Sequence, residues 1–215
     1  MDRYHITLVD KNDYHTYTPM LYEVATTSHE TATDINLHSV ATFSILESIA
    51  NTAITFVRDE VQSIDLLNGV VKMKNQEILF NHIVLALGSE TNYFNITGLE
   101  KYAFPLKTFD DAMKIRDTIL EKLALNPSLH IVIGGAGSTG IETAGEVKEA
   151  FPAVSVTIVE GSPTILPEFD AEVVQKVSER LRHLEIATVL GEQIKTVQKS
   201  KIIIANKKEI SYDIF

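Results

Sequence analysis

The sequence predicts an α/β fold in two parts, and three observations carry that reading. Two short β-branched runs each stop at an acidic residue, Ile6-Thr7-Leu8-Val9-Asp10 and Val156-Thr157-Ile158-Val159-Glu160, as buried parallel strands do. A glycine-rich stretch at residues 135–140 separates a strand pattern from a helical one. From residue 130 onward, strand and helix patterns alternate, which is the order of an α/β unit.

The elements follow in chain order. After the strand ending at Asp10, residues 54–57, 61–65, 70–73 and 78–80 read as short alternating strands around the turn Leu67-Asn68-Gly69. An apolar strand over 83–87 follows, so this region is a small meander returning to a sheet. Gly98-Leu99-Glu100 and Phe104-Pro105 form an irregular crossing that places a domain boundary near residue 108. Thr108 caps the first strong helix, with Asp110 and Asp111 at the positive end of its dipole and Ala112, Ile115, Ile119 and Leu123 on one face. Asn126-Pro127 stops it. A second helix runs from about Thr139 to Phe151, before Pro152, and a third starts near Asp170 with Val174, Val177, Leu181 and Leu184 on one side. The likeness of 6–10 to 156–160 suggests two copies of one nucleotide-binding architecture, the first incomplete.

Composition excludes whole classes of function. The 215 residues are 45% apolar and 22% charged with 10 Gly and 6 Pro, which rules out disordered and collagenous chains. Nineteen Lys and Arg against 29 Asp and Glu give a net charge of -10, which repels phosphate backbones and argues against a nucleic-acid partner. The chain has no Cys, which removes disulfides, thiolate metal sites, iron–sulfur clusters and dithiol relays. No apolar run nears the roughly 20 residues of a membrane-spanning helix, and the start, Met1-Asp2-Arg3-Tyr4-His5-Ile6, lacks a secretory signal. A cytoplasmic location is the expectation.

The strongest local motif is Gly135-Ala136-Gly137-Ser138-Thr139-Gly140, directly after the strand pattern at 130–133 and opening a helix. Gly135 suits the tight turn, Gly137 lets backbone approach a pyrophosphate, and Gly140 lets the helix lie close on the strand. The helix N-terminus, with Ser138 and Thr139, then faces the anion. Glu160 stands 20 residues past Gly140, where a carboxylate accepts hydrogen bonds from an adenosine ribose. That acid favours NADH over NADPH, since a 2′-phosphate meets charge repulsion and the next residue is Gly161, not an Arg. Other motifs fail on named residues. Gly140 is followed by Ile141 and Glu142, not by the Lys of a phosphate loop. Ala136 stands where a hydrolase elbow needs Gly, so Ser138 is no nucleophile candidate. The seven His, at 5, 15, 29, 38, 82, 130 and 183, show no metal-ligand pairing, and no metal is expected.

Several stretches together carry a family likeness. Residues 6–15, the run Pro19-Met20-Leu21-Tyr22-Glu23-Val24-Ala25, then Ala86-Leu87-Gly88-Ser89-Glu90-Thr91-Asn92, Ala103-Phe104-Pro105-Leu106-Lys107, the glycine turn with Gly140-Ile141-Glu142, and Ile165-Leu166-Pro167-Glu168-Phe169-Asp170 occur in one order. This set resembles the type II NADH dehydrogenases, non-proton-pumping NADH:quinone oxidoreductases of the FAD-dependent pyridine nucleotide-disulfide oxidoreductase superfamily. The resemblance implies two Rossmann-like, FAD- and NAD(P)-binding three-layer domains: a partial FAD-binding domain over 1–107 that carries the meander, and an NADH-binding domain over 108–215. It implies hydride transfer from NADH to FAD and electrons onward to a quinone. Asp10 would bind the ribose of the FAD adenosine, the backbone around Val61 its adenine, and Gly88 would let the chain pass close to the flavin. Glu142 would act near the nicotinamide in positioning or proton balance; a helix-dipole role for this first-turn acid stays open beside it. Leu21 and Tyr22 would lie on the flavin side or serve packing. Without Cys, reduced flavin would pass electrons directly to a diffusible acceptor.

Two departures from the family pattern shape the remaining expectations. A first glycine fingerprint would precede Asp10 by on the order of 30 residues, and nine residues stand there. The closing segment that returns to the FAD domain and attaches to the inner face of the membrane is also missing from the pattern. The chain therefore reads as truncated at both ends, with NADH binding stronger than FAD binding and a bare strand edge inviting a homo-oligomer. Two alternatives stay open: a catalytically silent NADH-binding module that has lost FAD, and a flavoprotein reductase of a protein acceptor.

Overall fold

The structure, a computed structural model, describes residues 4–28 and 37–215, so Met1 and His29 lie outside the described residues. In chain order the strands and helices are β1 (Ile6–Asp10), β2 (Tyr14–Thr16), α1 (Leu21–Thr26), α2 (Leu37–Ala41), β3 (Thr42–Ser44), α3 (Ile45–Ile49), β4 (Ile54–Arg58), β5 (Val61–Asp65), β6 (Val70–Met73) and β7 (Glu77–Leu79). They continue with α4 (Leu99–Tyr102), α5 (Phe109–Leu125), β8 (His130–Gly134), α6 (Ser138–Ala150), β9 (Ser155–Glu160), α7 (Ala171–His183), β10 (Ala187–Leu190), β11 (Ile194–Gln198), β12 (Lys201–Ile204) and β13 (Glu209–Ser211). The chain forms two compact units, one of residues up to Tyr17 and Ala41–Glu90, the other of Thr18–Val40 and Thr91–Phe215.

In the first unit β1 and β4 pair in parallel, Ile6 opposite Ile54 through Asp10 opposite Arg58. The strand at 54–58 thus leaves the predicted meander and becomes the neighbour of β1. Its alternating pattern specifies a half-buried strand but not the strand beside it. The meander itself is β5-β6-β7, antiparallel throughout. A buried carboxylate ties it to β4: Asp59 accepts from the N–H groups of Glu60 and Asn75 at 2.8 and 3.1 Å and from the Asn75 amide at 3.0 Å. Two expectations fail in this unit. Ile6 and Leu8 are exposed, so β1 is not a buried strand. Residues 83–87 form no strand, and Val84, Leu85 and Leu87 are exposed. Apolar content alone makes no ladder; without a neighbour to take its N–H and C=O groups, an extended run stays irregular.

In the second unit β10, β9 and β8 form a parallel sheet, and Ile214 bridges β8 in parallel on its other edge. Successive residues of a strand point to opposite faces. Ile131 and Ile158 accordingly join Ile119, Ala144, Val147 and Leu181 in a core under the helices. Val132 and Val159 face a second core with Val197, Ile202, Ile204 and Phe215 beneath the antiparallel β11-β12-β13 sheet. In this unit the helices, the parallel sheet and the antiparallel β11-β12-β13 sheet thus make three layers.

The helices begin and end where local chemistry places them. Thr108 and Asp111 exchange side-chain-to-backbone bonds at 3.1 and 2.9 Å in a capping box, and α5 ends before Asn126. Helix α6 stops at Ala150, two residues before Pro152, and α7 starts after Asp170. Helix α1, although near the start of the chain, packs on α5 and α6 with Leu21, Val24 and Ala25 buried. Buried Arg116 on α5 donates from Nε to the Thr27 carbonyl at 2.9 Å. The crossing before residue 108 also packs into this unit, with the Phe104 N–H donating to the Phe215 carbonyl at 2.7 Å and the Val197 N–H to the Thr97 carbonyl at 2.9 Å. Along this stretch the compact units part after Glu90.

Candidate functional site: a dinucleotide cleft beside the glycine turn

The second unit contains a cleft of about 1190 Å³ at the carboxyl ends of its parallel strands, where ligands of open α/β sheets bind. Strand β8 ends at Gly134, and Gly135 turns the chain with φ 105, a left-handed conformation that suits glycine. Its N–H donates to the Val159 carbonyl at 2.8 Å. Helix α6 then starts at Ser138 with Gly137 as an extended cap that offers no side-chain bond, so the first N–H groups of the helix remain available to an anion. A Cβ on Gly140 would stand 2.1 Å from the Gly135 carbonyl oxygen, so only a bare α-carbon lets the first helical turn close over the loop. A Cβ on Gly137 would meet nothing within 4 Å, which marks the open side of the turn.

Glu160, the last residue of β9, is bound to this turn. One carboxylate oxygen accepts the Ala136 N–H at 2.8 Å and the other the Ser162 N–H at 2.7 Å. Burial pushes its pKa up, but the hydrogen bonds from Ala136, Ser162 and Gly161 outweigh that and hold it below the ordinary carboxylate value. The arrangement presents a fixed anion beside the N-terminus of α6.

Of the residues singled out by sequence, Gly135, Gly137, Ser138, Thr139, Gly140 and Glu160 line this one cleft. Glu142 does not; it is exposed on α6, and its neighbour Thr143 takes the lining position. Asp10, Val61 and Gly88 belong to the first unit. Asp10 ends β1 with its carboxylate accepting the Asn12 N–H at 2.8 Å, and its carbonyl accepts the Asp59 N–H at 3.0 Å, which sets it beside the link into Val61 and β5. Gly88 lies in the exposed stretch after the meander. Sequence reasoning missed Ser162, Thr143, Gln193 and Lys195, all on the cleft. Gln193 and Lys195 sit in or next to the link between β10 and β11 and carry no motif, whereas Ser162 could have been found as the N–H two residues beyond the acid.

Comparison with known proteins agrees with this geometry. The family model described as pyridine nucleotide-disulphide oxidoreductase matches residues 2–215. A type II NADH:quinone oxidoreductase of Staphylococcus saprophyticus is 29% identical over 97% of this chain and 55% of its own length. The protein of the same name from Staphylococcus haemolyticus is 33% identical over 80% of this chain and 46% of its own. Among solved structures, NDH2 from Plasmodium falciparum in complex with NADH superimposes with a TM-score of 0.81 at 26% identity, over 98% of this chain and 49% of that one. The chain thus spans about half the length of the relatives it matches. A match from end to end of the chain, on a fold that carries the glycine turn and its acid, means that the chain belongs to the pyridine nucleotide-disulphide oxidoreductase family.

Proposed function

We propose that this chain forms the NADH-binding half, with part of the flavin-binding half, of an FAD-dependent NADH dehydrogenase that delivers electrons to a quinone. The observation that carries the reading is the glycine turn closed on Glu160 through the Ala136 N–H. In this reading the N–H groups opening α6 at Ser138 and Thr139 receive the NADH pyrophosphate, and Gly137 leaves room for it. Glu160, at the tip of β9, places its carboxylate where the adenosine ribose hydroxyls would donate to it. On the other unit Asp10 would hold the ribose of FAD, the backbone at Val61 its adenine, and Gly88 the approach to its ring. Bound FAD supplies the two-electron carrier chemistry, and the protein supplies position and electrostatics.

Glu142 is assigned to orienting the reacting end of NADH or balancing a proton there; it lies past the first turn of α6, so the helix-dipole role expected of it does not apply. The chain has no Cys, so no dithiol within it carries the electrons, and a small acceptor is proposed. The named relatives are NADH:quinone oxidoreductases, which supports a quinone as that acceptor. Peripheral attachment to the membrane surface is part of this proposal; among the described residues no helix is long and apolar enough to cross a membrane.

A second reading, an NADH-binding module without flavin, is favoured by one observation: Ile6 and Leu8 on β1, the strand leading to Asp10, are exposed. One experiment separates the two. The purified chain is mixed with FAD, its visible spectrum recorded, and NADH added. Flavin bands near 450 nm that bleach with NADH support the dehydrogenase. A colourless protein that still changes NADH fluorescence supports the module, and no response to either ligand defeats both.

A further inference from the structure

Gly161 follows the acid that would hold the adenosine ribose, and the space above it is occupied. A Cβ built on Gly161 would come within 3.2 Å of Cγ of Gln193. Gln193 is held there from two sides. The Gly191 N–H donates to the Ser162 carbonyl at 2.8 Å and the Glu192 N–H to the Glu160 carbonyl at 3.0 Å, which stitches residues 191–192 to the end of β9. From the other side Lys195 Nζ donates to Gln193 Oε1 at 2.7 Å. Glu160, Gly161, Gln193 and Lys195 all line the cleft.

The chemistry of this arrangement is selective. A site that reads a 2′-phosphate needs room beside the ribose and a cationic side chain, ordinarily an Arg, close to the acid position. Here a side chain at 161 would crowd the Gln193 stem, which would have to give by a few tenths of an ångström, and the neighbouring cation, Lys195, is held on the Gln193 carbonyl. The Gln193 carbonyl is engaged by Lys195, which leaves its amide N–H groups as neutral donors suited to a hydroxyl.

We propose that Gln193, braced by Lys195 and lying over Gly161, is a specificity-determining residue that excludes dinucleotides bearing a 2′-phosphate. The proposal rests on the NADH reading of the cleft and adds to it a second element beyond the charge of Glu160: crowding by a residue from the β10–β11 link.

The test is a double-mutant cycle on the full chain, following NADH and NADPH fluorescence on titration. Wild type is expected to bind NADH more tightly than NADPH. Gln193→Ala alone should reduce that preference by about threefold or more, and Gly161→Arg alone should change it little because Gln193 obstructs the guanidinium. The double variant should shift the preference toward NADPH beyond the product of the two single effects, by about fivefold or more. Additive effects, or an unchanged preference in Gln193→Ala, overturn the proposal while leaving the NADH reading intact. Because Gln193→Ala removes only side-chain atoms from an exposed residue, its result stands even where Gly161→Arg perturbs folding. A wild-type preference for NADPH overturns the proposal outright, and absence of any nucleotide response overturns the NADH reading together with it.

Discussion

The Ala136 N–H donates to the Glu160 carboxylate at 2.8 Å, so the turn after β8 is fastened to the tip of β9 by a charged side chain. The same carboxylate takes the Ser162 N–H at 2.7 Å. A single acid therefore sets the loop that would receive a pyrophosphate and, in the proposed reading, touches the ribose as well. Structure and recognition are coupled through one group, and its charge state governs both.

Replacing Glu160 with Gln should separate those tasks. The amide keeps one oxygen, so one of the two backbone N–H groups faces an NH₂ and loses its acceptor. The expected cost is about 1–3 kcal/mol of stability and about a tenfold loss of NADH affinity, read by thermal melting and by NADH fluorescence titration. The sign of the pH dependence follows from the lowered pKa. A carboxylate depressed in the folded state stabilises above its ordinary value of 4.5, and that contribution is lost as pH falls through the folded value. The gap in Tm between wild type and Glu160→Gln should be full at pH 7 and close below about pH 4.5. A gap independent of pH would contradict the assignment.

Two glycines of α6 should respond to alanine with opposite signs. Gly140→Ala places a Cβ 2.1 Å from the Gly135 carbonyl oxygen and should destabilise by about 1–3 kcal/mol. Gly145→Ala meets nothing within 4 Å and should stabilise by up to about 1 kcal/mol through helix propensity. Urea denaturation of both variants checks the pair, and equal effects would mean that helix propensity, not the close approach, decides.

Arg116→Met should loosen α1 from the second unit. It removes the donor to the Thr27 carbonyl, at a cost of about 1–3 kcal/mol, while the lost ion pair with exposed Asp117 counts for little. Hydrogen exchange should rise at residues 18–28 before it rises in the parallel sheet. Uniform acceleration across the unit would show that Arg116 supports the whole core instead.

Glu146 on α6 has its pKa raised, first by burial and then by the nearby Glu149 and Glu23. The folded state therefore holds its proton more tightly than the unfolded one, and ionisation as pH rises costs stability. Glu146→Gln should raise Tm at pH 7 by about 1–2 °C, corresponding to roughly 0.5 kcal/mol after screening by solvent is allowed for. The gain should vanish below about pH 4.5, and a lower Tm at pH 7 would reverse the argument.

What could be read from the sequence was local. The cap at Thr108, the stop before Pro152 and the turn at 135–140 are each specified by residues a few positions apart, and the structure reproduces them. What escaped depends on distant partners. Nothing within 54–58 names β1 as its neighbour, and nothing in the apolar run 83–87 reports that no strand lies beside it. Residues 18–28 carry no sign that Arg116, far along the chain, donates to the Thr27 carbonyl. In the cleft the glycines and Glu160 were visible because backbone geometry demands particular residue types. Gln193 was not, since a Gln above a glycine leaves no pattern.

The Arg116–Thr27 bond joins residues 89 positions apart, and that separation governs the order of folding during synthesis. Leu21, Val24 and Ala25 emerge from the ribosome well before the α5 and α6 surfaces that bury them exist. Until then the apolar side of α1 has no intramolecular cover, and the helical layer of the second unit waits on it. Closing so long a loop is slow, and the interval exposes sticky surface to other chains. A nascent chain halted before residue 109 would therefore carry α1 without the α5 and α6 surfaces that bury it.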